Sequence, residues 1–436
     1  MVGRWCHTCE VAEPTSPLQI PDFRLYWLSR LVSVLATIGM VVIIGYQLYD
    51  VARGQYGLSI SQSAFLLGLL GLVQFVPLAI FTPVAGLVAD RFDRRTVAAL
   101  AMCLDLTIAI TLAVTAQLGA TSLPLLFGLA ALHGTARVFI GPALSAVTPN
   151  IVPAPLIPRA MALSSMSWQI GAIGGPAMAG LLYGIDQALP YWTSSVLLVI
   201  GIIALLAIRR LPPPEENRGE PPLRQMVEGF HFVWNERFLL GCVTLDLFAV
   251  LLGGATALLP VFARDVLHVG AEGLGIMRAA PAVGAVAVSV WLSARPIAHN
   301  VGAKMLWSVV GFGAATIAFG LSRNFALSLG LLALMGAADM VSVFIRSTLV
   351  QLNTPDAVRG RVSAISGLAI SASNELGEMQ SGLAAGLLGA TGAVVFGGAG
   401  AIIIVALWAV LFPELRNART FAPQYRQTHR EKEPAP

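Results

Sequence analysis

The residues in this sequence that are best suited to take part in chemistry are acids and arginines inside long apolar stretches. Glu375 and Glu378 lie three residues apart, so they share one face of a helix. Two carboxylates this close in a low dielectric resist ionising together, and one of them is expected to hold a proton near neutral pH. A proton carrier needs that property. The alternative is that both acids only hydrogen-bond within a polar seam between helices.

The same two interpretations apply to other ionisable residues in the apolar stretches: each lies on a proton or substrate path, or each forms a pair that only stabilises the fold. They are Arg30, Asp105, Arg137, Asp246, Arg278, Asp339 and Arg346. Asp339 and Arg346 are seven residues apart, roughly 10 Å along a helix axis, so each needs a partner on another helix or in water. Asp105 and Arg137 lie on neighbouring stretches, where a simple pairing between them is one interpretation. His133 is in a position more typical of a packed, hydrogen-bonding histidine than of a switch.

The elements that carry these residues are apolar and continuous. Of 436 residues, 56% are hydrophobic and 11% charged, and the mean hydropathy is +0.77, whereas a soluble domain carries roughly 25% charged residues. Too little polar surface remains to coat a water-soluble particle, so the chain is predicted to be an all-α, polytopic membrane protein. The apolar runs do not alternate, which favours helices over a barrel, and the 43 glycines suit close helix packing.

Twelve charge-poor runs are long enough for a membrane span of about 20 residues. They cover 25–49, 64–88, 96–118, 123–147, 160–183, 190–208, 239–263, 270–293, 304–321, 325–352, 362–388 and 393–412. The predicted organisation is a tail (1–22), a six-helix half (23–208), a linker (209–238), a second six-helix half (239–412) and a second tail (413–436). Apolar residues at helical spacing from Met226 to Trp234 predict an amphipathic helix on the cytoplasmic membrane surface.

Charge and repetition indicate the orientation and the symmetry of the halves. Of the 27 Lys and Arg, 20 fall in segments on one side and three on the other, which places both termini in the cytoplasm. The basic balance therefore indicates topology and no nucleic-acid partner. Val-Phe-Ile at 138–140 recurs at 343–345, and Ala-Gly-Leu-Leu at 179–182 recurs at 385–388. Such a repeat predicts a substrate path at the interface of the halves.

A polar turn joins the second and third spans. Its characteristic residues are Gly86, Asp90, Arg91, Arg94 and Arg95. The glycine permits close helix approach, and the arginines hold a short loop on the cytoplasmic side. The pattern predicts a tight cytoplasmic turn in which the acid lies at the membrane edge; the family resemblance described below implies that it is a gating motif.

Span 5 contains a second motif of small residues and proline. Its members are Gly171, Gly174, Gly175, Pro176 and Gly180. Glycine removes side-chain bulk and proline bends a helix, so the motif predicts a close, slightly kinked helix contact. That contact is also a candidate surface on which the two halves rock.

The region from 22 to 412 resembles a twelve-span protein of the major facilitator superfamily. The turn at 86–95 resembles the family's loop 2–3 signature, and the segment at 137–141 its span 4 signature. The span 5 motif resembles the antiporter signature that the family associates with exporters. The segment at 354–362 looks like the branch that contains the enterobactin exporter and macrolide-efflux proteins. The resemblance implies that Asp90 interacts with the inner end of span 11 and holds the cytoplasmic side closed.

Together these patterns predict a secondary active transporter in a bacterial inner membrane. It is expected to be a monomeric, proton-coupled exporter, working by alternating access on a mid-sized amphipathic compound such as a siderophore or a macrolide-like drug. A lipid or lysophospholipid flippase of the same fold is the alternative, and an intramembrane enzyme a weaker one, because no nucleophile with an activating base stands out. The sequence contains no phosphate-binding Gly-rich loop. Cys6 and Cys9 lack the further ligands that a structural metal site needs, so no cofactor or metal is expected.

Overall fold

The computed structural model describes residues 16–210, 222–295, 297–355 and 358–421, and all regular secondary structure within these ranges is helical. The segment with Cys6 and Cys9, part of the predicted linker and most of the predicted second tail lie outside them. Six long helices form the first group. They are α1 (Pro21–Gly54), α2 (Ile60–Arg91), α3 (Arg94–Gln117), α4 (Leu123–Ile151), α5 (Ile157–Ile185) and α6 (Leu189–Ala207).

The second group follows a short helix, α7, formed by Pro222–Asn235. Its members are α8 (Arg237–Gly253), α9 (Gly270–Ala294), α10 (Val301–Leu321), α11 (Phe325–Asn353) and α12 (Arg359–Leu411). After α8 the chain stays helical in character through a 3-10 turn (Ala255–Leu258), Leu259–Val261 and a π-helical turn (Phe262–Val266). Single-turn helices at Pro17–Gln19, Ala154–Leu156 and Pro413–Arg416 complete the described elements.

The structure confirms the predicted all-helical, twelve-span fold. Ten helices in the described ranges are long and apolar enough to cross a membrane. One of them, α12, supplies two spans, because Gly389 adopts a φ of +73° and bends it sharply. The twelfth span is α5, whose glycines and serines lower its hydropathy. Span 7, predicted as one run at 239–263, is broken at Gly254.

Helix contacts divide the spans into the two expected groups. Within the first group α1 packs on α5 and α6, and α4 on α2 and α3; within the second, α12 packs on α8 and α10, and α9 on α11. The most extensive contacts between the groups join α2 with α12 and α5 with α9. A Cβ atom at Gly68 of α2 would lie 2.7 Å from the Cα of Gly382 in α12, so only glycine allows this approach. We call the end of the bundle at Pro21 the inner end and the end at Gly54 the outer end.

Candidate functional site

A cavity of about 360 Å³ lies between the two helix groups. Its apolar lining comes from Val41, Val250, Phe312 and Met335. Its polar lining comes from Arg137, Thr256, Arg278, Asp339, Asn374, Glu375 and Glu378. The break at Gly254 brings Thr256 to the cavity wall. The structure thus gathers four of the predicted path residues and Arg278 at one cavity, as expected for a site at the interface of the halves.

Each cavity glutamate faces an arginine. Arg137 of α4 lies 3.5 Å from Glu375 of α12 (Nη1 to Oε1), and this ion pair crosses between the helix groups. The same nitrogen lies 3.3 Å from the side-chain oxygen of Gln74. Arg278 of α9 lies 3.4 Å from Glu378 and donates to the backbone carbonyl of Thr256 at 2.9 Å. A nearby guanidinium group favours the ionised form of a carboxylate and opposes the mutual repulsion of the two acids. The expectation that one of them holds a proton stays a prediction.

A third ion pair joins α8 and α11 nearer the inner end. Arg346 lies 2.6 Å from Asp246 (Nη1 to Oδ1), and both side chains are buried. This confirms that Arg346 finds its partner on another helix. Asp339 lies on the same face of α11 as Arg346, two turns away, and lines the cavity. It makes no hydrogen bond or ion pair to any residue that the structure describes.

The interpretation that Asp105 pairs with Arg137 is wrong. Asp105 accepts from the Oγ1 of Thr37 at 3.2 Å and lies 2.6 Å from Nδ1 of His133, with both partners of the His133 contact fully buried. His133 precedes Arg137 by one helical turn, so it occupies the level of Asp105 on α4, while Arg137 reaches across the cavity. His133 is the packed, hydrogen-bonding residue that its position predicted.

The last two arginines of the polar turn donate hydrogen bonds to carbonyl groups of other helices. Arg94 donates to the carbonyl of Ala146 in α4 at 3.2 Å. Arg95 donates to the carbonyls of Leu206 and Ile208 at the inner end of α6. Cations are favoured at helix C-termini, so these contacts stabilise the inner ends of α4 and α6 against α3.

The acid of the turn stays a prediction. The surroundings of Gly86 and the side chains of Asp90 and Arg91, at the end of α2, lie outside the described part of the structure. Arg361 lies at the inner end of span 11, where Asp90 is expected to make its contact. Its side chain donates a hydrogen bond to Glu228 of α7. The helix α7 forms where the amphipathic helix was predicted and packs along the inner end of α12.

The small-residue motif of α5 divides between two contacts. Its first part, at 171–175, packs on α1 within the first group. Gly180 faces the second group, where an added Cβ would lie 2.8 Å from the Cα of Gly275 and 2.5 Å from the carbonyl oxygen of Ala271. In return, a Cβ at Gly275 would lie 2.6 Å from the carbonyl oxygen of Pro176. Only the later part of the motif therefore lies between the two helix groups, where the surface for rocking was predicted.

Sequence reasoning missed a set of contacts at the outer end. Arg264 lies 2.5 Å from Asp50 (Nη1 to Oδ1), and Arg53 lies 3.5 Å from Asp265 (Nη2 to Oδ1). Tyr49 donates to Oδ2 of the same Asp265 at 2.5 Å. Arg264 directly follows the predicted span 7 (239–263), and the π-helical turn Phe262–Val266 holds it against α1. The sequence carried a signal for these pairs. Asp50 precedes Arg53 at the end of span 1, whereas Arg264 precedes Asp265 at the end of span 7, and these two ends are equivalent in the repeat.

The two groups of six spans, with a cavity between them, form the major facilitator fold. A mutant form of the nucleoside transporter NupG superposes with a TM-score of 0.68 at 14% identity, covering 90% of this chain and 100% of that one. The xylose transporter XylE from E. coli, in an inward-open conformation, gives 0.64 at 15% identity, covering 90% of this chain and 96% of that one. These likenesses show the fold alone.

The family follows from the sequence matches. A family model described as transmembrane secretion effector, within the major facilitator superfamily, matches residues 12–433, and the chain belongs to that family. The enterobactin exporter EntS of Citrobacter koseri is 30% identical over 415 residues, which cover 92% of this chain and 94% of that protein. EntS of Escherichia coli O1:K1 is 30% identical over 416 residues, covering 93% and 95%. The protein is thus a multi-pass transporter of a bacterial inner membrane.

Proposed function

We propose that the protein exports a siderophore-like compound in exchange for protons, by alternating access of the interfacial cavity. The observation that carries this proposal is the ion pair between Arg137 and Glu375, which joins the two helix groups inside the cavity. A cavity at the interface of two repeats is where alternating access acts. The similarity to enterobactin exporters supports export of a siderophore.

The outer end supplies the gate in this proposal. The crossed ion pairs of Asp50 with Arg264 and of Arg53 with Asp265 connect the helix groups there. Gly180 and Gly275 bring α5 and α9 together on the same side. Substrate release to the outside requires these contacts to separate. The expected orientation, with both termini in the cytoplasm, makes the inner end the side of substrate entry.

The lining suits an amphipathic acid or polyphenol. Phe312, Met335 and Val250 supply apolar wall, while Arg137 and Arg278 present guanidinium groups to the cavity. Guanidinium groups bind paired oxygens in a planar fork, which matches carboxylates and catecholates. The substrate class of the proposal is therefore a mid-sized compound with several acidic or phenolic oxygens.

Everted membrane vesicles test the proposal. Vesicles that contain the protein and are energised to an acid lumen are expected to accumulate enterobactin above the external concentration, and a protonophore should abolish the accumulation. Vesicles without the protein provide the control. Accumulation no greater than in the control would overturn the proposal, and flipping of a fluorescent lysophospholipid without siderophore flux would favour the flippase alternative.

A further inference from the structure

The charges around the cavity do not balance, and Asp339 is the acid in excess. Three arginines, Arg137, Arg278 and Arg346, are each matched by one acid. Those acids are Glu375, Glu378 and Asp246. Asp339 is the fourth acid, and in the part of the chain that the structure describes no side chain or backbone group hydrogen-bonds to it.

An ionised carboxylate in this position has little compensation. On its own helix the next charge is Arg346, which Asp246 of α8 already neutralises at 2.6 Å. Arg278 of α9 is paired with Glu378, and Arg137 of α4 is paired with Glu375; both glutamates belong to α12. The only ionisable residue of α10, Lys304, is exposed at the inner end. A carboxylate at mid-membrane depth without a partner is costly when charged, so the neutral acid is favoured while the cavity lacks a ligand.

We infer that Asp339 is the residue that carries the driving proton, and that the cavity glutamates serve as ion-pair partners. This inference rests on the proposed function. Substrate hydroxyl or N–H groups that enter the cavity donate hydrogen bonds to the Asp339 carboxylate, and donors favour its ionised form. The carboxylic O–H bond then breaks, its electron pair stays on the carboxylate, and the proton passes to water at the inner side. At the outer side a proton returns to the carboxylate as the substrate leaves.

Transport by variants distinguishes this role from a structural one. Asp339→Asn is expected to keep exchanging labelled for unlabelled enterobactin, because exchange needs no net proton movement, although more slowly than the wild type because an amide is a weaker acceptor than a carboxylate for the substrate donors. Its uphill accumulation under a pH gradient should fall at least tenfold, and Asp339→Glu should restore it. Glu375→Gln, the matched comparison, should weaken substrate binding but keep the response to the pH gradient. Uphill accumulation by Asp339→Asn at the wild-type level would overturn the inference while leaving the proposed function intact.

Chemical labelling of the wild-type protein gives an independent test that does not depend on a variant folding. Dicyclohexylcarbodiimide reacts with protonated carboxyl groups in apolar surroundings, and mass spectrometry locates the adduct. The expected adduct is on Asp339, and enterobactin should protect against it. An adduct on Glu375 or Glu378 with Asp339 unmodified would refute the inference. Absence of any proton-driven flux in the wild type would instead remove the proposed function and the inference with it.

Discussion

Weakening the outer ion pairs should open the cavity to the outside. The side chains of Asp50 and Arg264 are 31% and 30% exposed, so their pair is worth about 0.5–1 kcal/mol after solvent screening. Asp265 makes one such pair and also accepts from Tyr49, and a hydrogen bond to a charged group adds about 1.5 kcal/mol. Asp50→Asn should therefore shift the balance by about 1 kcal/mol, and Asp265→Ala by about 2 kcal/mol. These shifts correspond to about 5-fold and about 30-fold changes in the population ratio.

Labelling from the outside measures that population. With the four native cysteines replaced by serine, Thr256→Cys places one thiol at the cavity wall. A membrane-impermeant maleimide should modify it in intact cells about 5-fold faster in the Asp50→Asn background and about 30-fold faster with Asp265→Ala. High salt should reduce the difference, because it weakens the partly exposed pairs of the parent protein.

Two matched variants sharpen the test. The exchange Asp50→Arg with Arg264→Asp rebuilds the pair in reverse and should return labelling to within about twofold of the parent. Arg323→Gln removes another outer-end arginine, but its contacts, to Gly320, Ser322 and Thr391, all lie within the second helix group, so labelling should stay unchanged. Equal labelling rates in all of these proteins would refute the assignment of an outer gate.

Three further predictions concern other parts of the transporter. Gly180→Ala should slow export about tenfold, because its Cβ would lie 2.5 Å from a carbonyl oxygen of α9, whereas Gly330→Ala, with open space at its Cβ, should transport normally. Asp90→Asn should reduce transport with a near-normal protein level in membranes, since a charge-assisted contact is lost without a change in size; normal export would remove the gating role. Cysteines at Gly219 and Thr428 should resist an impermeant reagent in intact cells, and labelling there would reject the predicted orientation.

The sequence predicted the spans well because the membrane imposes a simple rule. Each helix must present about 20 apolar residues, and loops must satisfy the positive-inside bias. The repeat at an offset near 206 residues then predicted a substrate path at the interface of the halves, where the cavity lies. Even the sharp bend between the last two spans fell at the predicted boundary, at Gly389.

The partners of the charged residues could not be predicted in the same way. Arg137 pairs with Glu375, 238 residues away, instead of with the nearby Asp105. Sequence distance carries no information on which helix faces another across a cavity. The same limit hid the ion pairs at the outer end, because the 3-10 and π-helical turns after Gly254 bring Arg264 and Asp265 toward α1 in a way that hydropathy does not reveal.

Proton movement driven by substrate tests the central claim most directly. Proteoliposomes loaded with enterobactin and a pH-sensitive dye are diluted into buffer without substrate, at equal pH on both sides. As enterobactin leaves down its gradient, protons should enter and the lumen should acidify, while liposomes with Asp339→Asn or without protein should show no such change. Efflux of enterobactin at the wild-type rate with a constant lumenal pH would contradict proton-coupled export.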